Sequence, residues 1–324
     1  MMLDRRRLLA ASAGAALLPR PARAQEWPTA PVRMIVPFAA GGPTDIPARL
    51  IAEKMSERLP QRVVVENRTG AGVVVGTELV ARAPKDGQTI LYSTIAHAVL
   101  PPLFPRLSFN ALEDFAQVAL VAVVPMIMIV NKHLPVNSLA ELIALLRNDP
   151  GRYDYGSSGN GGAVHLACEL FLALAGVRAN HVPYRGSSAL MPDLLAGRLA
   201  FTVDVAASAI TYVRSNQVKG LAISSARRSA IAPELPTFQE AGVPGYEAYT
   251  WHMMHVPAGT PRPVIDRINR LTNEVMALPD VKQRLTELTA ETVSDSTPES
   301  ARAFLLAENR KWTEIIRRAN ITVN

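Results

Sequence analysis

The apolar positions of the chain change period repeatedly, from unbroken runs of three to five residues to recurrences three and four residues apart. The first such change organises the rest. Val32, Met34, Ile35 and Val36 form a short apolar run closed by Pro37, as a strand covered on both faces does. Gly41 and Gly42 mark a turn, and Ile46, Leu50, Ile51, Met55 and Leu59 then recur at helical spacing. Thr44 is placed to cap that helix, which sets Pro47 in the first turn, where a missing N–H costs nothing. A strand, a glycine turn and a helix opening from it leave unpaired backbone N–H groups at the positive end of a helix dipole, beyond the strand's carboxyl end. Such a terminus fits a carboxylate or a phosphate; plain solvation is the equal alternative.

The same alternation continues. Residues 63–66 read as a strand, Gly70-Ala71-Gly72 as a turn and the apolar segment 73–82 as a second helix; 90–93 is a third strand, ending at 94–98. The apolar stretch 118–131 is long enough for a strand, a break at Pro125 and another strand, which places a domain crossing there. After a helical pattern at 139–146, the opening logic repeats: 153–155 leads into the Gly-Ser-rich turn 156–162 and a helix over 163–175. A strand at 179–183 ends in Tyr184-Arg185-Gly186-Ser187-Ser188, a helix covers 190–196, and 201–204 and 220–224 are further strands. Residues 226–245, rich in Pro and Gly, read as a loop. The strand 249–256 suits a return crossing, and helices follow over 261–278 and from Pro298, with Thr297 as cap and Leu305, Trp312, Ile315, Ile316 and Ala319 on one face. The expectation is an α/β chain of two domains, one from 25–125 and 250–324, the other from 126–249, with the two crossing strands as a hinge.

Export follows from the first residues. Arg5-Arg6-Arg7 precedes an apolar run too short to span a bilayer, and Ala22-Arg23-Ala24 ends it in a small-x-small site, so 1–24 reads as a cleaved signal peptide. Sec and twin-arginine routes both fit. That segment carries five arginines and one aspartate, so the formal charge of +6 falls to about +2 in the mature chain, 29 basic against 27 acidic residues. Neither nucleic acid nor an anionic membrane is then implied as a partner. The single cysteine, Cys168, excludes an intrachain disulfide and sits in an apolar pattern. His165 and Glu169 are four apart with no third ligand at useful spacing, so no metal site is spelled out, and no cofactor is implied.

Several separated motifs, in order, carry a resemblance: Val36-Pro37-Phe38 with Gly41-Gly42 and Asp45; Val65-Glu66-Asn67-Arg68 with Gly70-Ala71-Gly72; Asp86-Gly87; Ser157-Ser158-Gly159-Asn160-Gly161 with His165; Val182-Pro183-Tyr184-Arg185-Gly186; and Pro257-Ala258-Gly259-Thr260-Pro261. From about Trp27 to the C-terminus the chain resembles the Bug-type periplasmic solute-binding proteins, the receptor class of tripartite tricarboxylate transporters. The resemblance implies a type II periplasmic binding fold, a monomer in the periplasm that closes on a small carboxylate and hands it to the membrane components of such a transporter. It also implies that Phe38, Ala39, Gly41, Gly42 and Asp45 form one part of the ligand site and Ser157, Ser158, Gly159, Asn160 and Gly161 another, largely through backbone amides and water. His97, Tyr184 and Asp204 complete the set.

Alternatives stand beside several of these residues. Asp45 also fits a first-turn carboxylate that supports the loop, His97 a buried ring satisfying a backbone carbonyl, Asp204 a solvent-facing strand end, and Arg185 a surface turn. Pro43, Ala96 and Val205 stand where the family often has polar residues, which points to a ligand with an apolar body. An enzyme reading fares worse. Gly70-Ala71-Gly72 with Gly76 puts the last glycine of a dinucleotide fingerprint one residue late, and Gly156-Ser157-Ser158-Gly159 has the wrong spacing for a nucleophile elbow. A sensor receptor without a transporter is the other alternative.

Overall fold

The computed structural model describes residues 27–323, so the expected signal peptide and its cleavage point lie outside the described residues. The chain begins with β1 (Val32–Val36), α1 (Asp45–Ser56), β2 (Val63–Asn67), α2 (Val74–Ala81), β3 (Thr89–Ser93) and α3 (Ile95–Leu103). It continues through β4 (Phe115–Asn131), α4 (Leu139–Asn148), β5 (Asp154–Ser157), α5 (Ala163–Ala175), β6 (Asn180–Pro183), α6 (Ser187–Leu195), β7 (Phe201–Val205), α7 (Ala206–Arg214) and β8 (Val218–Ile223). After a long loop come β9 (Tyr249–Pro257), α8 (Arg262–Ala277), α9 (Pro279–Glu287), β10 (Glu291–Thr292) and α10 (Pro298–Arg318). Helices α3, α7 and α9 go beyond the expected set. Gly76, read above against a dinucleotide loop, instead lets α2 lie against the end of β1: a Cβ there would sit 2.6 Å from the Arg68 carbonyl and 2.9 Å from Pro37 Cβ.

Two sheets share one strand. In the first, β2, β1 and β3 are parallel, and β9 runs antiparallel between β3 and the first part of β4. In the second, β6, β5 and β7 are parallel, and β7 and β8 pair antiparallel with the second part of β4. The expected break at Pro125 does not occur: β4 is a single strand of 17 residues. Pro125 pairs with Tyr249, the first residue of β9, and the next residue, Met126, pairs with Val205. A residue without an N–H is tolerated where the strand changes partners, because a ladder bond is not required of it there. Ser224 ties the changeover, its Oγ accepting from Met126 N and its N–H donating to Met126 O, both at 2.8 Å.

Helix α10 opens as expected on a Thr297 cap, completed by Ser300 in a reciprocal capping pair. Its apolar stripe is longer than one sheet. It packs on α3, β4 and α5, and Ala301, Leu305, Trp312, Ile315 and Ile316 share one cluster with Ile95 and Val99 of α3 and with Leu166, Leu170 and Phe171 of α5, which hangs from the second sheet. The segment expected to close the first domain alone therefore packs on both sides.

At the middle of α10, Glu308 is buried beneath the two largest core side chains, and its Oε2 accepts from Trp251 Nε1 of β9 at 3.0 Å and from Trp312 Nε1 at 2.9 Å. Removing that oxygen strands two buried indole donors. We expect Glu308→Ala to lower the unfolding free energy by about 2–6 kcal/mol, from roughly 1–3 for each of the two stranded groups, and Glu308→Gln, which keeps an acceptor, by less than half as much. Urea unfolding of the two variants checks the order.

Candidate functional site

Strand direction places the carboxyl ends of β1, β3, β5, β6 and β7 around one cleft of about 940 Å³. The N-cap residue of each following helix lines it: Thr44, Thr94, Gly162, Gly186 and Val205. Only Thr94 caps its own helix, accepting from Ala96 N at 3.3 Å; the other four helices have no side-chain cap. Gly186, at φ +108°, holds a backbone that an L side chain rarely adopts. Among the described residues no protein acceptor meets the N–H groups of Gly42, Thr44, Ala163, Val164, Ser187 or Ser188, all at the cleft. Uncapped termini of this kind attract anions.

The side chains around these termini keep the same sign. Among the described residues no Asp or Glu lines the cleft, and its one formal charge is Arg185, exposed and without a partner there. Phe38, Pro43, Ile95, Val99, Val124 and Leu288 make much of the wall apolar. The neighbouring acids are turned to internal use. Asp45 is buried; its Oδ2 accepts from Gly41 N and Arg49 Nε and its Oδ1 from Asn67 Nδ2, each at 2.8 Å, while the Asn67 amide also holds the Phe38 carbonyl at 3.0 Å. Burial pushes that carboxyl up, but the Arg49 guanidinium and the two N–H bonds together hold it below the usual carboxylate range.

The second turn is braced differently. Ser157 Oγ meets His181 Nε2 at 2.6 Å, Gly161 N donates to His165 Nδ1 at 3.0 Å, and the two imidazoles stack at 3.8 Å. Burial, and then the His181 ring, push His165 down to about 3, so the stack is neutral. Asp204 Oδ1 accepts from Ser187 Oγ at 2.7 Å and Val205 N at 2.8 Å, and its Oδ2 has no partner among the described residues. Burial pushes it up to about 6 against those two bonds.

A two-sheet fold with a cleft of converging helix N-termini at the switch of strand direction is what solute-binding receptors present, and comparison with known proteins decides the matter. The family described as "Tripartite tricarboxylate transporter family receptor" matches residues 47–321. The chain belongs to this receptor family. Protein BugT of Bordetella pertussis is 36% identical over 299 residues, 92% of this chain and 91% of that protein. The solved structure described as R. palustris Rpa4515 with adipate aligns with TM-score 0.78 at 33% identity, over 92% of this chain and 100% of its own. MatC from Rhodopseudomonas palustris with bound malate aligns with TM-score 0.75 at 30% identity, over 90% of this chain and 100% of its own. The fold is thus that of the periplasmic binding proteins of this family, and because the family is one of receptors, the dehydrogenase and hydrolase readings fall away.

Of the residues anticipated for the receptor's site, Phe38, Ala39, Gly42, Ser158 and Gly161 line the cleft, as do Pro43, Ala96 and Val205 on the dry side. The rest stand behind it or beside it. His97 is sealed in the first half of the molecule and outside the lining, its Nε2 at 2.7 Å from the Ala111 carbonyl and its ring against Phe115 and His255. Asp45 and Ser157 have their oxygens committed to the loops, and Asp204 is buried with Oδ1 bonded to Ser187 and Val205 and Oδ2 sealed without a partner among the described residues. Tyr184 donates its hydroxyl to Asp193 at 2.6 Å. Gly41 and Gly159 shape turns at positive φ, and Asn160 is exposed outside the lining. Thr44 does not cap α1; the Gly42 carbonyl takes Asp45 N at 3.0 Å and Ile46 N at 3.1 Å, leaving the threonine at the cleft.

Sequence reasoning missed Thr94, Ala207, Ser208, Thr250 and His252, all in the lining. A signal was available for the helical ones. Thr94 precedes Ile95, Ala98 and Val99, and Ala206, Ala209 and Ile210 repeat the same spacing after the strand that ends at Val205.

Asp204 gives a pH test of the site. Its folded carboxyl titrates near 6 and an unfolded one near 4, so the native state keeps a proton that the unfolded chain gives up. Its contribution to stability is full below about pH 4 and is lost as pH rises through about 6. Urea unfolding of wild type and Asp204→Asn from pH 4 to 7 should show wild type losing about 2–3 kcal/mol relative to the variant across that window; a constant difference would mean the carboxyl ionises normally in the fold.

Proposed function

We propose that this receptor captures a small carboxylate with an apolar body and delivers it to the membrane components of a tripartite transporter. The observation that carries the reading is the convergence of five helix N-termini and Arg185 on a cleft without a single acidic side chain. A carboxylate there meets oriented N–H donors whose only alternative partner is water. The apolar wall argues against ligands with many charges, each of which needs donors of its own when buried. The adipate and malate described in the two aligned structures are carboxylates of this size.

The mechanical part of the proposal rests on the strand exchange at Pro125 and Met126 and on the return at Tyr249. Residues 126–249, carried by the second sheet, close on the body made by 25–125 and most of 250–324. A ligand that contacts both sides favours the closed form by its difference in affinity. Thermal-shift screening of a carboxylate panel should find aliphatic or aromatic mono- and dicarboxylates that raise Tm, with about 2.7 kcal/mol of added stability at 100 times the Kd. Small-angle scattering with the best of them should give a smaller radius of gyration. Stabilisation by citrate or aspartate alone would refute the apolar-bodied ligand, and unchanged scattering at saturation would refute closure.

The same proposal puts the protein in the periplasm after removal of 1–24. Among the described residues no helix is long and apolar enough to cross a membrane. Intact mass of the protein recovered from the periplasm should match a chain beginning at Gln25; a full-length chain found in the cytoplasm would sink the localisation.

A further inference from the structure

Among the described residues the lining has one imidazole, and no hydrogen bond of the fold uses it. His252 lies on β9, opposite Ala122 of β4 and close to where that strand changes sheets. It is only 4% exposed, and neither ring nitrogen has a hydrogen-bond partner among the described residues. Nδ1 is sealed inside the protein, which makes Nε2 the nitrogen left open to the cleft. The ring is held by stacking on Tyr92, centroids 5.3 Å apart and planes 21° from parallel. Thr250, two residues earlier and so on the same face of the strand, also lines the cleft, and its hydroxyl has no partner among the described residues.

A buried polar side chain without a partner is costly, and a fold that keeps one at a cleft has use for it when the cleft is filled. The other donors facing the cleft, backbone N–H groups, several hydroxyls and Arg185, belong to the turns and helix N-termini; His252 and Thr250 are side chains on β9, the neighbour of β4 where that strand passes between the sheets. We infer that His252, with Thr250 beside it, forms a second polar seat on β9 that takes the distal carboxylate of a dicarboxylate ligand. This rests on the carboxylate reading above and adds to it which end of the ligand is read by a side chain.

The chemistry at the ring follows from its surroundings. A neutral imidazole has one N–H and one lone pair, and an acceptor in the cleft selects the tautomer with the proton on Nε2. Burial pushes His252 down to about 4, so the donor is uncharged near neutral pH. A monocarboxylate with an apolar tail leaves that N–H unanswered. A dicarboxylate of matching length answers it, and the cleft then favours the diacid although a second charge is being buried.

Isothermal titration with a series of unbranched dicarboxylates from succinate to suberate, and with the monocarboxylate of equal length for the tightest of them, tests this. Wild type should bind the diacid at least about tenfold tighter than the monoacid. His252→Leu should lose roughly tenfold for the diacid and less than about twofold for the monoacid, and His252→Gln, which keeps an N–H donor, should recover most of the loss. Thr250→Val gives the same split, more weakly, and serves if the leucine variant does not fold. In nitrogen-edited spectra of the complex with the diacid, His252 should carry its proton on Nε2. A leucine variant that weakens both acids equally, or that keeps the wild-type preference for the diacid, overturns the seat while the carboxylate reading stands. Wild type that binds neither acid overturns both.

Discussion

One strand has to serve two sheets, and its direction decides where everything else can point. Along its first part β4 runs antiparallel to β9, which is itself antiparallel to β3, so β1, β2, β3 and β4 all advance toward the exchange at Pro125 and Met126. Beyond the exchange β4 pairs antiparallel with β7, and β5 and β6 follow β7, so these three run back toward the same place. Both sets of parallel strands therefore end at one gap. Helices that follow parallel strands begin at those ends, and their positive termini converge from both sides without any residue being spent on aiming them. A β4 broken into two independent strands would leave the second set free to face elsewhere.

Convergence alone would give a solvated notch. What makes the gap selective is the way nearby carboxylates are taken out of it. Asp45 opens α1 at the rim, yet both of its oxygens are bonded to Gly41, Arg49 and Asn67, so its charge stiffens the loop that presents Phe38 and Gly42. Asp204 stands one residue from the lining at Val205, but it is sealed and turned onto Ser187 and its own chain. An acid free at either position would oppose an incoming anion at short range in a partly dry space, where charges interact several times more strongly than in water. The two imidazoles under the second turn act alike in one respect: kept neutral by burial, they hold Ser157 and Gly161 in place without adding charge.

The sequence made some of this readable and hid the rest for physical reasons. Where a helix start is announced by glycines after an apolar run, as at Gly41-Gly42 and over 156–162, period and composition agree and the unit is plain. At α3 a threonine cap stands at the start but Pro101 and Pro102 fall inside the helix, and α7 opens on two alanines with no side-chain cap, so start and stop signals do not agree and the converging set reads smaller than it is. Pro125 misled in the opposite direction, because a proline inside an apolar run argues for a break unless the strand changes partner there, and pairing partners are not visible in one sequence. The residue types at the cleft were legible from resemblance, but which of them reach it was not. Asp45, His97, Tyr184 and Asp204 are polar residues beside a predicted site; partners beyond the loop take up Asp45, His97 and Tyr184, and burial withdraws Asp204.

The last helix limits how the two sides can move. In the first half of the molecule α10 is held by directional bonds: Glu308 accepts from Trp251 of β9, and Asn309 Nδ2 donates to the Ala98 carbonyl of α3 at 2.7 Å. Toward its end Ile315 and Ala319 lie beside Leu172 and Ala173 of α5, an apolar contact, and among the described residues a single side-chain bond reaches residues 126–249, from Lys311 Nζ to the exposed Glu247 carbonyl at 3.2 Å. Hydrogen bonds fail when their geometry shifts by an ångström, whereas apolar faces slide a similar distance while most of their burial is kept. A rotation of the second sheet about the exchange in β4 thus strains least if α10 stays with the first sheet and α5 slips across its end. If the two sides close as proposed, those contacts are made in open and closed forms alike and favour neither, and the balance between the forms falls to groups that meet across the gap, the helix termini with an anion between them.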